Sequence, residues 1–131
     1  MPPYIRRVGD FLRSRGVRRI LLDIDGDCNS LIPLFVEAGV TGIYPFEVNC
    51  GMDIVKVRQQ YPRLQIMGGI PKSEIAKGRT RIDEILEPVE VVLGTGGYVP
   101  FADHFVPPDV SFEDFSYYRG RLNEIIDRYG R

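Results

Sequence analysis

An α/β fold of four parallel strands, each followed by a helix, is what this sequence predicts, and three observations predict it. Short apolar runs recur at "VRRILLD" (17–23), "VTGIYPF" (40–46), "LQIMGGI" (64–70) and "GYVPF" (97–101). Segments with apolar residues at helical spacing separate and follow them, and such alternation implies a parallel sheet with right-handed crossovers. Four such units fill the 131 residues, whereas a full (β/α)8 TIM barrel has eight and typically about 250 residues. The prediction is therefore half of a TIM barrel, or a small open α/β sheet, folded as one domain over 1–131.

The first helix is expected over 3–15. Pro3 suits a first turn, Ile5, Val8, Phe11 and Leu12 share a face, and Gly16 supplies a stop. The first strand, near 18–23, lacks period-two alternation in its core, as in a parallel strand covered on both faces. Asn29 or Ser30 can cap a helix that runs to about Ala38, with Leu31, Leu34, Phe35 and Ala38 facing in. A second strand lies near 41–46, and a helix follows from Asp53 to Tyr61, stopped by Pro62. A third strand near 64–69 leads to a helix over 79–93, which Pro88 is expected to disturb. The fourth strand, near 97–101, precedes a helix that starts after Ser111 and ends near Tyr129. Ser111 is the N-cap, with Glu113 and Asp114 in the first turn.

Composition narrows the function classes. Apolar residues make up 44% and charged residues 27%, as in ordinary globular domains. The formal net charge of −1 gives no electrostatic footprint for nucleic acid or an anionic membrane. No apolar run approaches the roughly 18 residues of a membrane-spanning helix, and "MPPYIRRVGDF" is no signal peptide. The two cysteines, Cys28 and Cys50, form no CxxC pair. A reduced, cytoplasmic protein is the expectation.

In parallel α/β folds the ligand site lies at the carboxyl ends of the strands. Reading those ends here yields Asp23, Asp25 and Asp27 from the first, Tyr44 and Glu47 from the second, Gly68, Gly69 and Lys72 from the third, and Tyr98, Asp103 and His104 from the fourth. Asp23, Asp25 and His104 are the candidate catalytic residues. Tyr44, Glu47, Gly68, Gly69, Lys72, Tyr98 and Asp103 are the candidates for substrate binding. Asp23 and Asp25 can do acid/base work, hold a hard metal such as Mg²⁺, or simply accept loop N–H groups. Gly68 and Gly69 can admit a ligand to the backbone, or only make a turn. His104, the single histidine, has a carboxylate neighbour that can orient its ring. No metal ligand set and no cofactor is assigned.

The blocks "DIDGD", "AGVTGIYPFEVNCGMD", "RQQYPRLQIMGGIPK" and "GGYVPFADHFVPPDVSFEDFSYY", in that order, resemble the C-terminal half of the uroporphyrinogen decarboxylase superfamily. That superfamily also holds cobalamin-dependent methyltransferases acting on coenzyme M. The resemblance spans about Tyr4 to Tyr129 and implies the last four units of a (β/α)8 barrel. It implies a decarboxylase or methyltransferase-type site for a small carboxylated or methylated substrate. Two departures accompany it. Asp23 and Asp25 stand where the methyltransferases carry a zinc-binding His-x-Cys pair, and Gly96-Gly97 stands at the last-strand block, so the thiolate zinc site is not reproduced. The Gly-His-Gly turn of the decarboxylases reads Gly96-Gly97-Tyr98, with His104 several residues on. The arginines and aspartate that the decarboxylases recruit from their N-terminal half have no counterpart among these residues.

Two functions follow from these readings. Either the chain contributes rim carboxylates to an enzyme site, inactive in isolation, or it is a catalytically silent paralogue that serves as a structural or binding subunit. A half barrel also leaves two sheet edges and an inner face without partners, with Leu22, Ile24, Ile43, Ile66 and Val99 as candidates for that face. Pairing with a second copy or with a separate N-terminal half is expected.

Overall fold

The computed structural model describes residues 2–129. It contains one four-stranded sheet, all parallel, in the order β1-β2-β3-β4. The strands are β1 Leu21–Asp23, β2 Gly42–Phe46, β3 Gln65–Ile70 and β4 Tyr98–Ala102. The helices are α1 Pro2–Ser14, α2 Ile32–Glu37, α3 Ile54–Gln60, α4 Arg79–Leu93 and α5 Phe112–Tyr129. Short 3₁₀ turns occupy Val48–Cys50 and Lys72–Lys77. Among the described residues no helix is long and apolar enough to cross a membrane.

The strand order decides where the helices lie. Each crossover steps one strand in the same direction, and right-handed crossovers that keep one direction put every connecting helix on one face. The register confirms the consequence. Leu22, Ile43, Ile66 and Tyr98 form one row across the sheet, and Ile43 and Ile66 are fully buried. The neighbouring positions point the other way. Leu21, Tyr44 and Val99 are 45%, 39% and 51% exposed. The sheet is thus covered on one face only, not on both as the sequence suggests. Leu22, Ile43 and Ile66 belong to the helix side, and Val99 alone of the five expected inner-face residues sits with the strands' bare side.

Local chemistry sets the element ends. β1 begins at Leu21, later than expected, because the Ile20 N–H donates to the Thr41 hydroxyl (2.8 Å) instead of to a backbone carbonyl. α2 is shorter than expected and has no side-chain cap; its N-cap is Leu31. Asn29 is diverted, donating through its side chain to Asp27 Oδ1 (2.8 Å) and to the Gly51 carbonyl (3.2 Å). Leu34, expected inside, is exposed. Asp53 caps α3 by accepting from Val55 N (2.9 Å) and Lys56 N (3.0 Å). Ser111 caps α5 by accepting from Asp114 N at 3.0 Å, as expected. α4 runs through Pro88 from Arg79 to Leu93 without a break.

One helix docks differently from its sequence reading. α1 rests on Gly9, where an added Cβ would come within 2.9 Å of the Ala38 carbonyl oxygen. That contact turns Ile5 and Leu12 toward the body and leaves Val8 and Phe11 57% and 58% exposed. Arg13 completes the dock, donating to the Gly39 carbonyl at 2.7 Å. A second cation is structural: buried Arg58 donates to the carbonyls of Pro62 (2.8 Å), Leu64 (3.0 Å) and Gly97 (3.1 Å). It ties α3 to the entrances of β3 and β4.

Candidate functional site

Parallel strands end together, so the loops after β1, β2 and β4 meet at one rim. Backbone pairing carries past β1, with the Ile24 N–H donating to the Tyr44 carbonyl (2.8 Å), and brings Asp25 over the end of the sheet. Past β4 the Asp103 N–H donates to the Ile70 carbonyl (2.8 Å), which aims Asp103 and His104 at the same place. Glu47 follows β2 directly.

His104 lies at the centre of this meeting. Its Nε2 is 3.2 Å from Asp25 Oδ1. Its Nδ1 lies 4.0 Å from Glu47 Oε1 and 3.9 Å from Asp103 Oδ1. That Nδ1 is buried and makes no hydrogen bond, and neither does the buried Asp103 Oδ2. One donor atom each from Asp25, Glu47 and His104 lie within 4.8 Å of one another. Two carboxylates and an imidazole so placed can hold a divalent cation, and oxygen plus imidazole donors suit Mn²⁺, Fe²⁺ or Zn²⁺.

Glu47, half-buried, and Asp103, buried, are tuned in opposite directions. Glu47 Oε2 accepts from the Gly26 N–H at 2.9 Å. That bond holds the Glu47 carboxyl below its ordinary range, with His104 and Lys72 assisting. Asp103 is 1% exposed. Burial pushes its carboxyl up, against the opposing hydrogen bond from the Lys72 N–H (3.2 Å). An Asp that is hard to ionise beside an unpartnered imidazole nitrogen is an arrangement completed by a positive charge.

The site opens into a hollow of about 340 Å³ on the bare side of the sheet. Asp23 and Tyr44 line it with Asp25, Asp103 and His104, and so do Phe101 and Phe105. Tyr44 and Phe101 pack with ring centroids 6.1 Å apart. Phe101 and Phe105 escaped the sequence reading. Phe101 is two residues from exposed Val99, so strand alternation puts it on the same face, and that signal was readable.

Three candidates sit elsewhere. Tyr98 is the first residue of β4, at the strand's opposite end, buried on the helix side with its hydroxyl donating to the Gly68 carbonyl (3.0 Å). Burial pushes its phenol far above the ordinary value. Gly68 and Gly69 carry φ of +100° and +79°, and the chain itself fills the space beside them. An added Cβ would meet Phe46 N at 2.9 Å at Gly68 and Ile54 Cγ2 at 2.6 Å at Gly69. Their close approach is to protein, not to the hollow. Lys72 reaches the site through its backbone N–H. Asp27 is a turn residue, accepting from Asn29 N at 3.0 Å. Cys28 is core, donating to Met52 Sδ at 3.8 Å.

No family model, no curated protein and no solved structure matches this chain.

Proposed function

We propose that the chain supplies the last four strand–helix units of a uroporphyrinogen decarboxylase-like (β/α)8 barrel, and that Asp25, Glu47 and His104 form its reactive rim. The site takes a divalent cation and a small carboxylated or methylated substrate. The observation that carries this reading is the convergence of three donors from three strand ends within 4.8 Å, with a buried, half-satisfied Asp103 behind them. The singly wound sheet and the order of the sequence blocks support the barrel half.

A bound cation supplies a Lewis acid that polarises a substrate oxygen. The chain's own groups do the rest. The Gly26 N–H keeps Glu47 ionised and fixed. Asp103 stands behind the His104 ring, with Oδ1 3.9 Å from Nδ1. Asp23 and Tyr44 line the hollow where a substrate would lie, and Phe101 and Phe105 keep part of that wall apolar. His104, with Asp25 beside it, is the group placed to hold or move a proton when no cation occupies Nε2.

The test is calorimetric titration of the full chain with Mn²⁺ and with Zn²⁺, with metal analysis after desalting. One equivalent is expected, lost in Asp25→Asn, Glu47→Gln and His104→Ala and retained in Cys28→Ser and Cys50→Ser. Absence of binding, or loss in the cysteine variants alone, defeats the proposal. The bare sheet face favours a second reading, a catalytically silent subunit. A chain that binds no cation yet pairs tightly with a partner supports that one.

A further inference from the structure

We propose that the hollow beside the rim binds an alkylated organic ammonium ion, its charge held by Asp23 and its alkyl groups cradled by Tyr44, Phe101 and Phe105. The proposal names the substrate class of the rim site and rests on the reading of this hollow as the place where the substrate lies.

The lining of the hollow decides the sign of the ligand. Asp23, Asp25 and Asp103 all line it, and no lysine or arginine does. Lys72 is near enough to act on Glu47 and Asp103 but is not part of the wall. A carboxylate ligand would therefore enter among groups of its own sign, with no side-chain cation but His104 to receive it. A divalent ion at the rim does not reverse this, because Asp25 and Glu47 already neutralise it. Asp23 is the carboxylate left over. It is exposed and stands directly across from Tyr44 in the β1–β2 register. Asp103 gives an independent sign of the same kind. It is 1% exposed, and its Oδ2 has no hydrogen-bond partner. Buried side-chain oxygens are seldom left so, and positive charge in the hollow is the compensation that the chain does not itself supply.

The rest of the wall decides what kind of cation. A metal ion is held by oxygen, nitrogen or sulfur donors, which ring faces do not offer. An alkylated ammonium is drawn to aromatic faces instead. The Tyr44 and Phe101 rings stand 6.1 Å apart at 51° to each other, so they form two walls of a corner and not a flat stack. Phe105 lines the same hollow and is 94% exposed. A ring so exposed contributes almost nothing to the chain's own packing, and a ligand that covers it gains the burial. The volume of about 340 Å³ lies at the low end for small-molecule sites and suits a small ammonium head.

The test is an NMR titration of the full chain that follows the backbone amides of Tyr44, Phe101 and Phe105. The probes are choline, its neutral isostere with tert-butyl in place of trimethylammonium, and the tert-butylacetate anion. Choline is expected to bind about tenfold more tightly than the isostere, and the anion not at all. Asp23→Asn and Phe105→Ala should each weaken choline binding about threefold or more. Phe105 stands almost wholly in solvent, so its truncation leaves the core untouched. Equal affinity for choline and the isostere, tighter binding of the anion, no binding of choline, shifts confined to other residues, or indifference to both substitutions overturns the proposal. Titration of the same proteins with Mn²⁺ separates it from the reading of the rim. A chain that takes Mn²⁺ but not choline loses the ammonium site and keeps the metal-binding rim. A chain that takes choline but not Mn²⁺ keeps the ammonium site and loses the metal.

Discussion

His104 Nε2 lies 3.2 Å from Asp25 Oδ1, although 79 residues separate the two in the chain. The contact spans the whole sheet order, joining the loop after the first strand to the loop after the last.

Substituting His104 by Ala should therefore loosen the rim without unfolding the sheet. Both side chains are partly solvated, so the loss in stability should stay within about 1 kcal/mol. Thermal melts of H104A and D25N against the parent chain check this. A loss of several degrees in both would make the pair a structural clamp.

Asp103→Asn should raise stability. The buried carboxyl is pushed up by desolvation, so its charged form is less favourable in the folded state than in the unfolded chain. An amide keeps an acceptor for the Lys72 N–H and removes that charge. A gain of about 1 kcal/mol is expected, with weaker cation binding as the accompanying loss. Urea midpoints and metal titration on one preparation show whether the two move in opposite directions.

Glu47 has the opposite tuning. Its carboxyl is held below the ordinary range by the Gly26 N–H, so the folded state binds this proton less readily than the unfolded chain. The stabilisation is present above about pH 4, the unfolded value, and is lost as pH falls through the folded one. Glu47→Gln should cost about 1 kcal/mol at pH 7, and the cost should vanish in strong acid. Denaturation curves for both proteins at pH 7 and near pH 3 measure that difference.

The two sides of the sheet should respond differently to truncation. Ile43→Ala removes a fully buried side chain from the helix side and should cost about 2–5 kcal/mol. Val99→Ser, on the bare side, should stay near 0.5 kcal/mol in the isolated chain. Equal losses would mean that something covers Val99 in solution.

Arg58→Ala should be among the costliest substitutions of a charged residue. Its guanidinium donates to three carbonyl groups at the start of β3 and β4; without it Gly97 keeps the Ile66 N–H (3.0 Å), but Pro62 and Leu64 lose this donor and the buried side chain leaves a gap, together costing roughly 3 kcal/mol. Arg58→Lys should recover only part of this, because an ammonium cannot reproduce the planar fork. Chemical denaturation of both variants tests the ranking.

The order of elements was legible because apolar runs and helical spacing alternate cleanly along the chain. Strand phase was not. "ILL" and "IMGGI" carry apolar or glycine residues at consecutive positions, so period two gives no direction; Ile43 and Ile66 are candidates for the inner face only if the strand phase allows, and they lie on the helix side. Helix orientation failed at α1 for a related reason. Its apolar residues span more than one stripe, and the small residue Gly9, not the bulky Val8 or Phe11, makes the close contact. For the site, position at strand ends pointed to Asp25, Glu47 and His104 but not to their distances. Tyr98 was misplaced because "GYVPF" was read by its end in the sequence, while its tyrosine opens the strand.

A sheet whose strands follow chain order has a kinetic consequence. Every strand pairs with the strand next to it in the chain, across one helix or its equivalent. No pairing waits for a distant segment to arrive, so loop-closure entropy is spent in short, equal instalments. Assembly can start at any neighbouring pair and spread outward in either direction, as it does in repeat proteins. The same property lets such a sheet gain or lose a whole strand–helix unit at an edge while the interior pairings stay as they were.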